Sequence, residues 1–321
     1  MNDRSQTPST GHQPVMPHEA LHFLRCAPGG IYVDATLGLG GHAELILEKI
    51  MPGGLLIGVD RDRESLEIAR ARLDSFSDGI RLLHDNYKNL PLILNNLARP
   101  PLDGILLDLG VSSRQLLSPE RGFSFQSEGM LDMRMDRTQR QTAADLVNDL
   151  PEEQLSDLIH RFGEERHARR IAAAITRARS EGRITRPVQL AEIVRRAVRA
   201  RGPQRIDRAT RTFQALRIAV NRELEGLEEL LIESLPFLQP GGRIVVISFH
   251  SLEDRIVKQT FRKLAGRCVC GRPAALCTCP RRVQAASLTH RPVSASPAEV
   301  ASNPRARSAR LRAVERVQAL D

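Results

Sequence analysis

Hydrophobic and polar positions in the first third of the chain alternate between two periods. Ile31–Asp34, Leu55–Asp60, Ile80–His84 and Gly104–Leu109 are short apolar runs, each ending in a polar residue or a loop, and predict strands. Between them His42–Ile50, Arg63–Leu73 and Lys88–Leu97 repeat their apolar residues every three or four positions, as amphipathic helices do. That alternation predicts an α/β fold, a mostly parallel, doubly wound sheet with helices on both faces. From about Pro119 to Arg222 the pattern changes. Glu152–Phe162, Glu164–Ser180, Val188–Arg199 and Ala209–Leu235 read as helices, punctuated by Pro151, Pro187 and Pro203. Alternation then resumes: "PGGRIVVISFHS" (Pro240–Ser251) reads as a buried strand and Leu252–Leu264 as a helix. "NPRARSARLRAVERV" supplies a final, Arg-rich edge strand. The expected organisation is a split sheet domain, residues 12–118 and 224–321, with an all-helical insertion at 119–223 and a disordered lead-in at 1–11.

Composition sharpens this picture. The 321 residues carry a formal charge of +9, which suggests a polyanionic partner, most simply nucleic acid. The basicity is local: Arg161–Arg222 holds 17 Arg, no Lys and five acids. The inserted helices are therefore the expected RNA-binding part. With no Trp, two Tyr and nine Phe, a surface that stacks a long single strand on successive rings is not expected. No apolar run approaches the ~20 residues of a membrane span, and the polar start "MNDRSQTPSTGHQP" lacks the order of a signal peptide. The expectation is a cytoplasmic protein without membrane contact.

"VDATLGLGGHAELIL" (Val33–Leu47) places Gly38, Gly40 and Gly41 between a strand and a helix. Glycines there permit positive φ and close approach of a ligand to backbone N–H groups. Asp60, 22 residues after Gly38, suits ribose hydroxyls of either a nicotinamide dinucleotide or an S-adenosyl ligand. Asp34 separates the two: a carboxylate beside the turn repels a pyrophosphate and attracts an ammonium or sulfonium, although it can also cap the turn through backbone N–H groups. Asp85 or Tyr87 in "HDNY" lies near an adenine on this reading. "LLDLGVSSRQL" brings Asp108, Ser112, Ser113 and Gln115 to the end of the fourth strand, facing a transferable methyl.

"DATLGLGGH", "GVDRD", "LLDLGVSS", "RGFSF", "LDMRMD", "GEER", "TRTFQALRIAVN", "PGGRIVVISFHSLEDRIVK" and "NPRARSARLR" occur in this order. Together they closely resemble the bacterial family of 16S ribosomal RNA cytosine-N4 methyltransferases, over about His12 to Val317. The resemblance implies a class I S-adenosylmethionine-dependent methyltransferase fold and transfer of a methyl group to the exocyclic N4 of one cytidine in the decoding region of 16S rRNA. It implies S-adenosylmethionine as donor and 16S rRNA as partner, in the context of the small ribosomal subunit, and leaves monomer or homodimer open. Carried onto this sequence, it implies cofactor contacts at Gly40, Gly41, His42, Asp60, Tyr87, Asp108 and Gln115, Tyr87 standing where the family often has Phe.

Methylation of an amine nitrogen needs no covalent adduct with the base, so no catalytic Cys is expected. It needs alignment of the amine and an acceptor for its proton. Asp108 is the best carboxylate for that acceptor, in a role that sequence does not separate from cofactor binding. His250 and the serines of "SFHS" are further polar groups at a strand end. Phe123, Phe125 and Phe249 either stack on the target base or pack the inserted domain on the sheet, and Arg134 in "LDMRMD" is an RNA-facing guanidinium at an interdomain seam. "RCVCGRPAALCTCP" pairs Cys268 with Cys270 and Cys277 with Cys279. The spacing departs from the C-x-x-C of zinc knuckles, so the expectation is a mobile thiol-bearing loop and no metal. Cys26, alone in the chain, reads as core. The rival classes are a nicotinamide-dependent oxidoreductase, which Asp34 disfavours, and a non-catalytic RNA-binding factor, which only turnover excludes.

Overall fold

A computed structural model describes residues 13–97, 101–198, 206–272, 276–278 and 282–318. The lead-in expected at 1–11 and the cysteine at 279 lie outside them. The chain opens with α1 (Pro17–Leu24) and then alternates: β1 (Ile31–Asp34), α2 (Gly41–Ile50), β2 (Leu55–Asp60), α3 (Arg63–Arg72), β3 (Ile80–His84), α4 (Leu90–Leu97) and β4 (Leu102–Asp108). Among the described residues six helices follow without a strand: α5 (Ser113–Leu117), α6 (Ala143–Asp149), α7 (Glu152–Gly163), α8 (Ala168–Glu181), α9 (Pro187–Ala197) and α10 (Thr210–Asn221). The chain then returns through α11 (Leu227–Ser234), β5 (Leu238–Ser248), α12 (Ser251–Leu264), β6 (Ala285–Ser287), α13 (Pro297–Ser302) and β7 (Arg310–Arg316). Two compact units result, residues 1–110 with 226–321, and residues 111–225.

In the first unit the seven strands run in the order β3-β2-β1-β4-β5-β7-β6. β1 to β5 are parallel, while β7 is antiparallel to both β5 and β6. This is the class I methyltransferase sheet. Its strands are apolar on both faces because helices cover both. Val33, Ile57, Ile105, Leu107, Ile244 and Val246 pack with Leu90, Leu94, Leu227, Leu231, Val257 and Phe261 of α4, α11 and α12. Their neighbours Tyr32, Leu56, Leu106, Val245 and Ile247 face the other way, onto Leu24, Ala43, Ile46, Ile50 and Leu66 of α1, α2 and α3. Strand period two thus serves two helical layers. The strand order reverses between β1 and β4, and an open α/β sheet takes its ligand beyond the carboxyl ends of the strands at such a point.

The second unit has its own core, in which Leu146, Leu155, Ile159, Ile171, Ile175, Leu190, Val194, Phe213 and Leu216 are buried together. Val111 and Leu116 pack onto that core, so residues 111–118, expected with the sheet, belong to the helical unit. Gly163 closes α7 where a Cβ would lie 2.6 Å from the Arg211 carbonyl oxygen. The glycine of "GEER" is there so that α10 can approach.

Three expected elements differ. The single helix expected over Ala209–Leu235 is two, broken where Arg222 (φ 49°) and Gly226 (φ 73°) take left-handed conformations. The helix expected from Glu164 begins at Ala168, because Glu164 (φ 48°) terminates α7 instead. The Arg-rich strand expected at the edge is the inner β7, and the edge is the three-residue β6. An Arg-rich strand can lie inside because Arg312 Nε donates to Asp254 Oδ1 at 2.7 Å, and Arg310 reaches the same carboxylate at 3.2 Å.

Candidate active site

Three acids stand at the carboxyl ends of three adjacent strands: Asp34 on β1, Asp60 on β2 and Asp108 on β4. Strand register sets their level, Asp34 lying opposite Gly58 and Leu106. The Gly turn then carries β1 into α2. Gly38 (φ 53°) and Gly40 (φ 79°) hold left-handed conformations, which an L side chain resists. No side chain caps α2, so its first N–H groups remain available to a ligand. A Cβ on Gly38 would meet only the Thr36 carbonyl oxygen, at 3.9 Å. The turn therefore has space over it.

Each acid is held differently. Asp60 accepts from the N–H of Gly38 at 2.7 Å through Oδ2 and from the N–H of Asp62 at 2.8 Å through Oδ1. It thereby ties the Gly turn to the end of β2 and keeps lone pairs for hydroxyl donors. Burial raises its pKa against those two bonds. Asp34 is 1% exposed and takes one bond, from the N–H of Thr36 at 3.2 Å. Burial pushes its pKa up to about 7; His42 and the Thr36 bond oppose the rise, and Asp108 and Asp60 add to it. Asp108 is anchored through its backbone, whose N–H donates to Thr36 Oγ1 at 2.6 Å. Thr36, which sequence reading passed over, thus joins the ends of β1 and β4. Its only signal was a hydroxyl two residues after Asp34.

His42, on the first turn of α2, completes the cluster. Its Nε2 lies 3.5 Å from Asp108 Oδ2, an ion-pair distance that falls short of a good hydrogen bond. His42 Nε2 and Asp108 Oδ1 are both buried without a hydrogen-bond partner. Burial alone would lower the His42 pKa, but the carboxylates of Asp108 and Asp34 and a bond to Val15 outweigh it and raise the pKa. Buried polar atoms left unpaired are costly, and here they surround the Gly turn. Together these groups fit S-adenosylmethionine: N–H groups and an open glycine face at the turn, Asp60 for ribose hydroxyls, and Asp34 and Asp108 for its cationic groups.

Other expected residues sit as follows. Tyr87 lies half-buried in the turn after β3, packed against the apolar core. Asp85 Oδ1 accepts from Asn86 N and Asn89 Nδ2 at 2.6 and 2.7 Å, closing that turn. Gln115 belongs to the helical unit. It forms a capping box with Ser112 at the start of α5, its N–H donating to Ser112 Oγ at 3.3 Å and its Oε1 accepting from Ser112 N at 3.1 Å. His250 caps α12: the Glu253 N–H donates to its Nδ1 at 3.3 Å. That bond occupies the nitrogen which would otherwise accept a proton, and Nε2 faces Glu253 Oε1 at 3.2 Å.

Two expectations about the helical unit change. Phe123 and Phe125 pack in that unit's own core, Phe125 edge-on to Phe213 at 6.0 Å, and Phe249 packs on the sheet unit's core beside Gly110. Arg134 is not an RNA-facing guanidinium. Its Nε and Nη2 clasp Asp132 at 2.6 and 2.9 Å, and Nη1 reaches the Arg137 carbonyl. Asn221 fastens the same loop, accepting from Met135 N at 2.8 Å and donating to Met133 O at 2.7 Å. "LDMRMD" and the final Asn of "TRTFQALRIAVN" are one structural clasp.

The helical unit also presents a cavity of about 520 Å³ at the start of α8, lined by His160, Arg166, His167, Arg169 and Arg170, with Asp157 as its only acid. The three arginines are exposed. Among described residues no helix is long and apolar enough to cross a membrane. Three of the four clustered cysteines meet: Cys268 Sγ lies 3.0 Å from Cys270 Sγ and 3.2 Å from Cys277 Sγ. Cys26 is half-buried, and burial pushes its thiol up to about 12.

The chain is 54% identical over 308 residues to the ribosomal RNA small subunit methyltransferase H of Pelobacter propionicus, covering 95% of this chain and 98% of that one. It is 53% identical over 307 residues to the protein of the same name from Geobacter sulfurreducens, covering 95% and 99%. A solved rRNA methylase from Streptococcus thermophilus aligns over 94% of this chain and 96% of that one, at 12% identity and a TM-score of 0.41; the assignment rests on the sequence relatives. Residues 9–317 match the family model described as the MraW methylase family. With those relatives over nearly its whole length and a class I sheet ending in three acids around a glycine turn, this chain belongs to the MraW methylase family and is an S-adenosylmethionine-dependent methyltransferase.

Proposed function

We propose that the protein methylates the exocyclic N4 of a cytidine in the decoding region of 16S rRNA, within the small ribosomal subunit and in the cytoplasm. The observation that carries the chemistry is the cluster of buried Asp34 and His42 with half-buried Asp108, with two polar atoms left unpaired beside an open glycine turn. The relatives' printed names supply the rRNA, and the resemblance supplies the base and atom.

Bound at the turn, S-adenosylmethionine supplies an electrophilic methyl group on a sulfonium. Gly40, Gly41 and the first turn of α2 offer it N–H groups, Asp60 takes its hydroxyls, Tyr87 offers a ring face to its adenine, and Asp34 is the counter-ion for its ammonium. The N4 lone pair of cytosine is delocalised into the ring and becomes nucleophilic as its proton is drawn away. Asp108 Oδ1, buried and unpartnered, is the acceptor for that proton. His42, beside Oδ2, keeps the carboxylate oriented. Gln115 is proposed as a cofactor contact through the resemblance alone. The helical unit, with its exposed arginines, holds rRNA phosphates, which positions the substrate without reading its sequence.

Methyl-labelled S-adenosylmethionine offered to unmethylated small subunits, protein-free 16S rRNA and DNA, followed by digestion to nucleosides, tests the proposal. Label in N4-methylcytidine from the assembled subunit is the expected result. Label in another nucleoside, or in DNA, would overturn it. Asp108→Asn is expected to lower single-turnover rates by about 10²–10⁴-fold at saturating cofactor. A near wild-type rate would remove Asp108 from the chemistry.

A further inference from the structure

We infer that Cys268, Cys270 and Cys277 form a zinc site in the connection between α12 and β6, remote in role from methyl transfer. This reverses the expectation of a metal-free loop that the C-x-C spacing suggested. The three sulfurs form a closed triangle with sides of 3.0, 3.2 and 3.9 Å, and all three cysteines are free thiols. Ligand sulfurs around tetrahedral zinc, at a Zn–S distance of about 2.3 Å, stand roughly 3.8 Å apart. One side already has that length, and the other two reach it with movements of less than about 1 Å.

The backbone has prepared the ligands. Cys270 N–H donates to Cys268 Sγ at 3.3 Å, a bond that orients a ligand sulfur. The base of the connection is pinned by an antiparallel bridge between Ala265 and Val283, with Gln284 N–H donating to the Leu264 carbonyl at 2.8 Å. The trio therefore belongs to a connection whose two ends are held together.

Disulfide pairing accounts for the geometry less well. A disulfide employs two sulfurs and leaves the third with no reason to sit against both. A Cys268–Cys270 bond would also close a small strained ring, and a reducing compartment disfavours any such bond. Three soft thiolates select zinc among the available divalent ions. Binding releases up to three protons, one from each thiol, and the fourth position is left to a donor outside this trio. The ion would clip a long connection whose own apolar content is small, so its role is structural.

The test uses the full chain, purified without chelator in a phosphine reductant. Metal analysis and non-denaturing mass spectrometry are expected to give about one zinc per chain. The single variants Cys268→Ser, Cys270→Ser and Cys277→Ser should each bind zinc at least tenfold more weakly, while Cys26→Ser retains it. Cobalt added to the reduced, metal-free chain should give the thiolate charge-transfer band and the intense visible bands of a tetrahedral ion, a readout independent of activity and of each variant's folding. Less than a tenth of an equivalent of zinc, with no cobalt spectrum, would overturn the proposal. So would a metal-free chain two hydrogens lighter after purification without reductant that, once reduced, still takes up no cobalt.

Discussion

Asp34 is a carboxyl buried among two other acids and a histidine. Burial pushes its pKa up to about 7, so near neutrality it is poised between a proton and an incoming cation. An acid whose folded pKa lies above its unfolded value adds stability that is complete below the unfolded value and disappears as pH rises through the folded one. His42, also raised, has the same sign. The cofactor-free protein is therefore expected to melt at lower temperature at pH 8 than at pH 6, and S-adenosylmethionine to raise that temperature more at pH 8. Calorimetric titration should show cofactor affinity falling up to tenfold per unit below pH 7, with proton release on binding. Asp34→Asn should flatten that dependence; an unchanged slope would mean that another group supplies it. The position of Asp34 was legible in the sequence, because a short apolar run ended on an acid just before glycines. Its titration was not, since it depends on His42, Asp60 and Asp108 arriving from elsewhere in the chain.

Among the elements, α12 and β7 are joined by the buried pair of Asp254 and Arg312, both side chains 8% exposed. Burial would raise the Asp254 pKa, but bonds and charge from Arg312 and Arg310 outweigh it and hold it below the usual carboxylate range. Its contribution to stability is thus present above the ordinary carboxylate range and is lost as pH falls toward its depressed value. Asp254→Asn, which leaves Arg312 buried and uncompensated, should cost about 3–5 kcal/mol at pH 7. The difference should shrink toward pH 3 in denaturant melts run in parallel; a difference below about 1 kcal/mol at pH 7 would mean that Arg312 finds water. Short apolar runs ending in a polar residue predicted β1, β2 and β3 to the residue. They missed β6, three residues without an apolar signature, and placed β7 at the edge because its arginines look solvated until Asp254 is known to face them. "LDMRMD" misled for the same reason: the partners of Arg134 and of the two methionine backbones, Asp132 and Asn221, are set by folding.

For the whole molecule, charge and catalysis occupy different parts of the chain. Ten arginines among the described residues of 161–222 are exposed, and Arg166, Arg169 and Arg170 share one cavity wall. Replacing these three with Gln should weaken RNA binding and reduce the salt slope by up to about two to three units, leaving cofactor affinity unchanged. A salt profile matching wild type would move the phosphate contacts elsewhere.

The inner position of β7 has a further consequence, for the order in which the protein is made. β5 pairs with β7 across a sequence gap of 62 residues between Ser248 and Arg310. During synthesis at about 5–20 residues per second, the flank of β5 waits roughly 3–12 seconds before its neighbour has been polymerised. For that interval the nascent sheet ends in Ile244, Val245, Val246 and Ile247 with open backbone groups, a template for any other extended chain. Ribosome-associated holdases are thus expected to contact this flank, and nascent chains halted just short of Arg310 to aggregate where those carrying β7 do not.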